Sequence, residues 1–531
     1  MAPSRRLSGI LCAAALLAVA ATASPVTGAL PARPESDLAL TTQGAVRGTV
    51  TETHRLFKGI PFAAPPVGAL RWKAPQAAVA WSGVRDATET VASTPCPQPQ
   101  LPTLPGESNR LGSTNEDCLK LSVWTPAQRS LRDRPVFVWL HGGANVVGAG
   151  SDYNAGPLAD RGDIVVVAVN YRLGSLGFLA HPALSAESPD GASGDYGLMD
   201  QQAAMRWVHA NIRAFGGDPR RVTLGGQSAG SQDTCAHIAS PTARGLFIRA
   251  VQLSGTCVSG GSFSPPTLNA AHTAGTAFAT AAGCADAACL RALTPQQLLT
   301  AQTGRTFGPN IGPAILPIPP AAAWGTGRAN KVPTLIGSTH DEWRYFTSTR
   351  INFVTGPLTE ASYAAIVRTE FTSTADMVLA QYPASAYPSP GHAYSALKTD
   401  QFFACPARAD ALLYSTENPV YEYEFNDQNA PTFFTDPTLP QGAFHAADVG
   451  FLFRRAVLNE VQERLSQNMM GYLSHFITSG DPNRHGLPAW PRYRAGTDQA
   501  LSLVPDAIAV TSGFKTDHRC GFWQLAAGTP A

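Results

Sequence analysis

The sequence predicts an α/β fold: a mostly parallel central sheet flanked by helices, with helical insertions serving as a cap. Three observations carry this. Pro135–Leu140 and Ile164–Val169 are continuously apolar, as strands buried on both faces are. Between such runs lie stretches with helical spacing; in Gln201–Phe215, Ala204, Met205, Val208 and Ile212 share one face. Strands separated by helices imply parallel pairing with both faces of the sheet covered. Third, Gly226-Gln227-Ser228-Ala229-Gly230 joins an apolar run, Arg221–Gly225, to a helix-like stretch, Ser231–Ala239. A serine on so tight a strand-to-helix turn needs small neighbours, and that context identifies a nucleophile elbow.

The chain opens with Arg5-Arg6, an apolar run from Leu7 to Ala21 and an A-x-A site at Ala21-Thr22-Ala23. That pattern reads as a signal peptide over 1–23, too short and alanine-rich to span a membrane. A flexible segment over 24–37 and a single domain over 38–525 follow, and a secreted or periplasmic location is expected. The net charge of +1 gives no reason to expect nucleic acid or an anionic membrane as partner. Cys12 lies in the leader, and the eight remaining cysteines argue for disulfides in an oxidising compartment. No C-x-x-C pair or H-E-x-x-H motif occurs, so neither a metal site nor a cofactor is expected. Nothing in the sequence indicates an oligomeric state.

Taken in order, Gly44–Gly48 and Leu56–Ile60 suggest a small antiparallel hairpin. The Cys96–Cys118 interval is rich in Pro, Gly, Ser and Asn; a disulfide closing it would contribute about 3 kcal/mol. Strands are expected at Leu119–Trp124, Phe247–Leu253, Val332–Gly337 and Val420–Phe425. Residues 265–325 and 355–415 read as helical or irregular insertions between strands. Arg455–Thr478 reads as a long helix with a break near Gly471.

The elbow implies partners. His141-Gly142-Gly143-Ala144 follows a buried strand, and its small residues let backbone N–H groups turn toward an oxyanion, joined by that of Ala229. His445 lies in a loop after the 420–425 strand, at a strand's carboxyl end, where such folds place their sites. His475 falls within a helix and His518 near the C-terminus, so neither competes on position. The acid belongs between serine and histidine in chain order. Asp341 and Glu342 both follow the 332–337 strand, and spacing does not separate them.

With these residues assembled, the chain resembles the type-B carboxylesterases, the cholinesterase-like branch of the α/β-hydrolases, over about residues 40–523. The resemblance rests on Phe57-Lys58-Gly59-Ile60-Pro61, Glu116-Asp117-Cys118-Leu119, Asn170-Tyr171-Arg172-Leu173-Gly174 and Phe215-Gly216-Gly217-Asp218-Pro219. It implies hydrolysis of small or polymeric carboxylic esters through an acyl-enzyme, without cofactor or membrane anchor. It implies Ser228, His445 and Glu342 as the triad, and the N–H groups of Gly143, Ala144 and Ala229 as the oxyanion hole. Ser254 and Asp448 are implied as neighbours of the triad. Family disulfides map to Cys96–Cys118, Cys284–Cys289 and Cys405–Cys520. Cys235, on the elbow helix, and Cys257, ending the next strand, are left to form a fourth.

Two departures stand out. Gln227 replaces the family's usual glutamate beside the nucleophile. The Cys96–Cys118 interval also holds no tryptophan, so the cation–π platform of cholinesterases is missing from it and choline esters are not expected. The alternatives are an acyltransferase with the same triad and a silent binding or adhesion protein on the same fold. Silent relatives typically lose a triad member, whereas all three are present here.

Overall fold

A computed structural model describes residues 36–92, 94–101, 112–128, 130–258 and 264–526. The expected signal peptide, and residues 24–35 of the segment after it, lie outside the described residues. Near the start come β1 (Leu38–Thr41), β2 (Gly44–Arg47), β3 (Thr49–Val50), β4 (His54–Pro61) and β5 (Val84–Asp86). Next are β6 (Lys120–Pro126), β7 (Arg134–Leu140), β8 (Val165–Val169), β9 (Gly217–Gln227) and β10 (Arg249–Leu253). Then follow β11 (Thr334–Thr339), β12 (Val420–Phe425), β13 (Ala500–Leu503) and β14 (Ala509–Thr511).

Among the described residues eleven strands make the main sheet, in the order β14-β13-β12-β11-β10-β9-β7-β8-β6-β4-β3. From β13 to β8 all neighbours are parallel. The strands beyond, β14 on one side and β6, β4 and β3 on the other, are antiparallel. Alternate side chains of β7 feed two cores. Val136, Val138 and Leu140 pack with Met205, Val208 and Ile212, the face expected of that helix. Phe137 and Trp139 pack on the opposite face with Leu473 and Phe476. Both insertions are helical, with only isolated bridge pairs at 267, 311, 312 and 316.

Two local expectations are corrected. Gly44–Gly48 does not pair with Leu56–Ile60: β2 joins β1 and β5 in a separate three-stranded sheet, and the antiparallel hairpin is β3 with β4. The chain changes sheets at Gly48, where a Cβ would lie 2.5 Å from Leu56 O. Nor does the late helix break at Gly471. It runs unbroken from Glu460 to Ser479, started by a capping box in which Asn459 accepts from Gln462 N at 3.0 Å and Gln462 accepts from Asn459 N at 3.2 Å. Gly471 instead lets Leu487 approach the helix, to 3.3 Å from where a Cβ would stand.

The cysteines pair as Cys96–Cys118, Cys235–Cys257, Cys284–Cys289 and Cys405–Cys520, with Cα separations of 4.9, 5.5, 5.4 and 5.2 Å. These distances suit disulfides without backbone movement. Cys235–Cys257 ties the helix after β9 to the loop after β10.

Candidate active site

Pairing register brings the carboxyl ends of four strands level. Leu253 of β10 lies beside Gln227 of β9 and Gly337 of β11, and Gly337 lies beside Tyr423 of β12. Ser228, the acid loop and the histidine loop therefore leave the sheet along one edge.

Ser228 sits at φ 55° and ψ −123°, between β9 and the helix Ala229–Ala239. Holding a non-glycine residue there costs on the order of 1–3 kcal/mol. The turn is tight because both flanking glycines lie against backbone: a Cβ on Gly226 would come within 2.7 Å of Leu140 O, and one on Gly230 within 2.7 Å of His141 O. Ser228 N donates to Leu253 O at 2.9 Å, which fixes the turn to the neighbouring strand.

The loop after β7 packs directly on this turn. A Cβ on Gly142 would stand 2.8 Å from Gln227 O and 3.1 Å from Ser228 Cβ. Gly143, Ala144 and Asn145 then take successive positive φ values of 117°, 56° and 57°. Among the described residues, the N–H groups of Gly143, Ala144 and Ala229 meet no acceptor. His141 is no rival base: burial lowers it to about 4, and its ring stacks on Tyr171.

Asn145 and Asp233 escaped the sequence reading. Asp233, fully buried on the elbow helix, accepts from Asn145 Nδ2 at 3.2 Å and from Gln201 Nε2 at 2.6 Å. Burial pushes its carboxyl up to about 7, against the pull of the two amides. A single carboxylate thus joins the 142–145 loop to the helix that begins at Ala229. The one available signal was an acidic residue in an otherwise uncharged helix.

His445 and Glu342 meet. His445 Nδ1 pairs with Glu342 Oε2, and Glu342 Oε1 accepts from Thr339 N at 2.8 Å. Asp341 turns elsewhere: its Oδ2 accepts from Ala443 N at 3.0 Å and Gln428 Nε2 at 2.8 Å, and it pairs with Arg344. It holds the backbone of the histidine loop, not the imidazole. With Nδ1–H donated to the carboxylate, Nε2 is left to accept, and Gln227 Nε2 lies 3.2 Å from it. Among the described residues no hydrogen bond joins Ser228 Oγ to His445; such bonds tighten when substrate binds.

The Carboxylesterase family profile matches residues 35–523. The chain belongs to the carboxylesterase family. It is 33% identical to the para-nitrobenzyl esterase of Bacillus subtilis (strain 168) over 490 residues, 87% of this chain and 94% of that one. The cocaine esterase of Oryctolagus cuniculus is 32% identical over 511 residues, 90% and 92% of the two chains. The fumonisin B1 esterase of Sphingopyxis macrogoltabida is 33% identical over 478 residues, 85% and 84%. A solved PNB esterase structure superposes with a TM-score of 0.75 at 32% identity, covering 91% of this chain and 98% of that one. The fold is accordingly the α/β-hydrolase fold, and the enzyme is a carboxylic ester hydrolase.

In this carboxylesterase, Asp448 lies in the electrostatic field of Glu342 and His445 and accepts from Tyr423 OH at 2.7 Å; burial raises it to about 6. Ser254 is buried at φ 52°, and its hydroxyl makes no hydrogen bond among the described residues. Rings not singled out from the sequence line the histidine: Phe346 lies 4.9 Å and Phe403 5.0 Å from its ring centroid. Phe403 comes from the 355–415 insertion.

The neutral amide of Gln227 invites a charge test. Gln227→Glu is expected to change kcat several-fold, because it puts a carboxylate in place of a neutral amide that lies 3.2 Å from His445 Nε2. An unchanged kcat would mean that position 227 exerts no charge effect on His445.

Proposed function

We propose that this carboxylesterase is an exported serine esterase, with residues 38–525 as one catalytic domain. Ser228 attacks the ester carbonyl, His445 takes its proton and returns it to the leaving alcohol, and Glu342 holds the imidazole in the Nδ1–H tautomer. The N–H groups of Gly143, Ala144 and Ala229 receive the oxyanion, each worth roughly 2.7–4 kcal/mol in such sites. Water then releases the acyl group by the same route. The pairing of His445 Nδ1 with Glu342 Oε2 carries this reading. Four disulfides support export, as such bonds persist in oxidising compartments. No helix among the described residues is long and apolar enough to cross a membrane.

The substrate is a small ester with an apolar or aromatic group beside His445. Phe346 and Phe403 support this, as does the aromatic group in the name of the para-nitrobenzyl esterase relative. Phe403→Ala is expected to raise KM about tenfold for a benzyl ester, a loss of about 1.4 kcal/mol of apolar contact. KM for the methyl ester of the same acid should hardly move. An equal change for both esters would remove Phe403 from the substrate pocket.

A further inference from the structure

Three residues from distant stretches converge beside the loop that carries Glu342. His340 follows β11, Glu424 lies in β12, and His518 stands two residues before the bridged Cys520. One potential ligand atom from each lies within 4.8 Å of the others. The two imidazoles are held alike. His340 Nδ1 is 3.0 Å from Asp341 Oδ1, and His518 Nδ1 is 2.5 Å from Asp400 Oδ1. Each ring therefore has its Nδ1 on a carboxylate and keeps Nε2 for another partner. For His518 that partner is Glu424 Oε1, at 2.6 Å.

A ring with one nitrogen on a carboxylate and the other free to bind is the arrangement of metal-ligating histidines. Two imidazoles and one carboxylate suit a borderline divalent ion such as Zn²⁺, whereas Ca²⁺ and Mg²⁺ call for oxygen donors throughout. An ion pair accounts for His518 between Asp400 and Glu424. It leaves unexplained why a second carboxylate-bound histidine meets the same point, its ring 5.3 Å away. His340 is 36% exposed whereas His518 and Glu424 are buried, so the cluster is reached from solvent on one side, where a fourth ligand would enter.

We propose that His340, Glu424 and His518 bind a divalent transition metal such as Zn²⁺, with Asp341 and Asp400 orienting the two rings. Tetrahedral bonds of roughly 2.0–2.1 Å place ligand atoms about 3.3 Å apart, so His518 and Glu424 part by about 0.7 Å as the ion takes the place of the proton between them. The ion staples the C-terminal segment to the loop of Asp341, whose carboxylate also holds the histidine loop at Ala443. A motif search misses the site because its ligands come from positions 340, 424 and 518.

The test uses the full chain, stripped with a chelator and titrated with Co²⁺ and then Zn²⁺. One equivalent of Co²⁺ should bring visible d–d absorption that Zn²⁺ displaces, and Zn²⁺ should raise Tm. His340→Ala and Glu424→Gln should abolish the absorption, Asp400→Asn should weaken binding about 10–100-fold, and the exposed His485→Ala should change nothing. His340 is the most exposed ligand, so its replacement decides the matter even if Glu424→Gln unfolds the chain. Absence of Co²⁺ absorption in the parent protein, or uptake unchanged in His340→Ala, overturns the site.

Discussion

Ser228→Ala is expected to lower kcat by about 10⁵–10⁶-fold, the size of loss that follows removal of a nucleophile from such a triad. KM should change little, because the N–H groups of Gly143, Ala144 and Ala229 and the rings of Phe346 and Phe403 stay in place. The folded chain should be as stable as the parent. Ser228 contributes its backbone N–H to Leu253 O, which alanine retains, and the positive φ is imposed by Gly226, Gly230 and the strand, not by the hydroxyl. Steady-state kinetics and a denaturation curve on the same sample separate the two effects. A variant that keeps a tenth of the parent rate would rule Ser228 out as nucleophile.

The second large effect falls on Glu342. Glu342→Gln should lower kcat by about 10⁴-fold, as when an orienting acid is made neutral elsewhere. The glutamate uses both oxygens as acceptors, one for Thr339 N and one for His445 Nδ1. A glutamine has one acceptor oxygen, so its NH₂ must face either the Thr339 N–H or the imidazole. The first loses a buried hydrogen bond; the second favours the wrong tautomer. Asp341→Asn should instead cost stability, about 1–3 kcal/mol from its contacts to Ala443, Gln428 and Arg344, with kcat falling less than about tenfold. If Asp341→Asn shows the larger loss in kcat, the acid has been placed on the wrong residue.

The contrast between these neighbours shows where spacing stops being informative. Spacing places both carboxylates just beyond the same strand, and the family resemblance is what favoured Glu342. The backbone path turns the side chain at 342 toward His445 and that at 341 toward the histidine loop. The elbow was legible because its chemistry is local: two glycines, a strand and a helix within a dozen residues. His445 was legible from its position at a strand end. Asp233, Phe403 and the cluster around His518 were not, since each acts on partners tens to hundreds of residues away, which no local pattern encodes. The error at Gly471 has a similar root. A glycine inside a helical pattern signals either a break or a close neighbour, and the neighbour, Leu487, comes from beyond the helix.

The most direct measurement is the mass of the acyl-enzyme. Enzyme mixed with a slowly deacylating ester, quenched in acid within one turnover, reduced and cut with trypsin yields the peptide Val222–Arg244. That peptide should gain the acyl mass, localised to Ser228, at a rate no slower than kcat, and His445→Ala should abolish the gain. Turnover without any adduct, or an adduct on Ser231 in place of Ser228, would contradict covalent catalysis at this elbow.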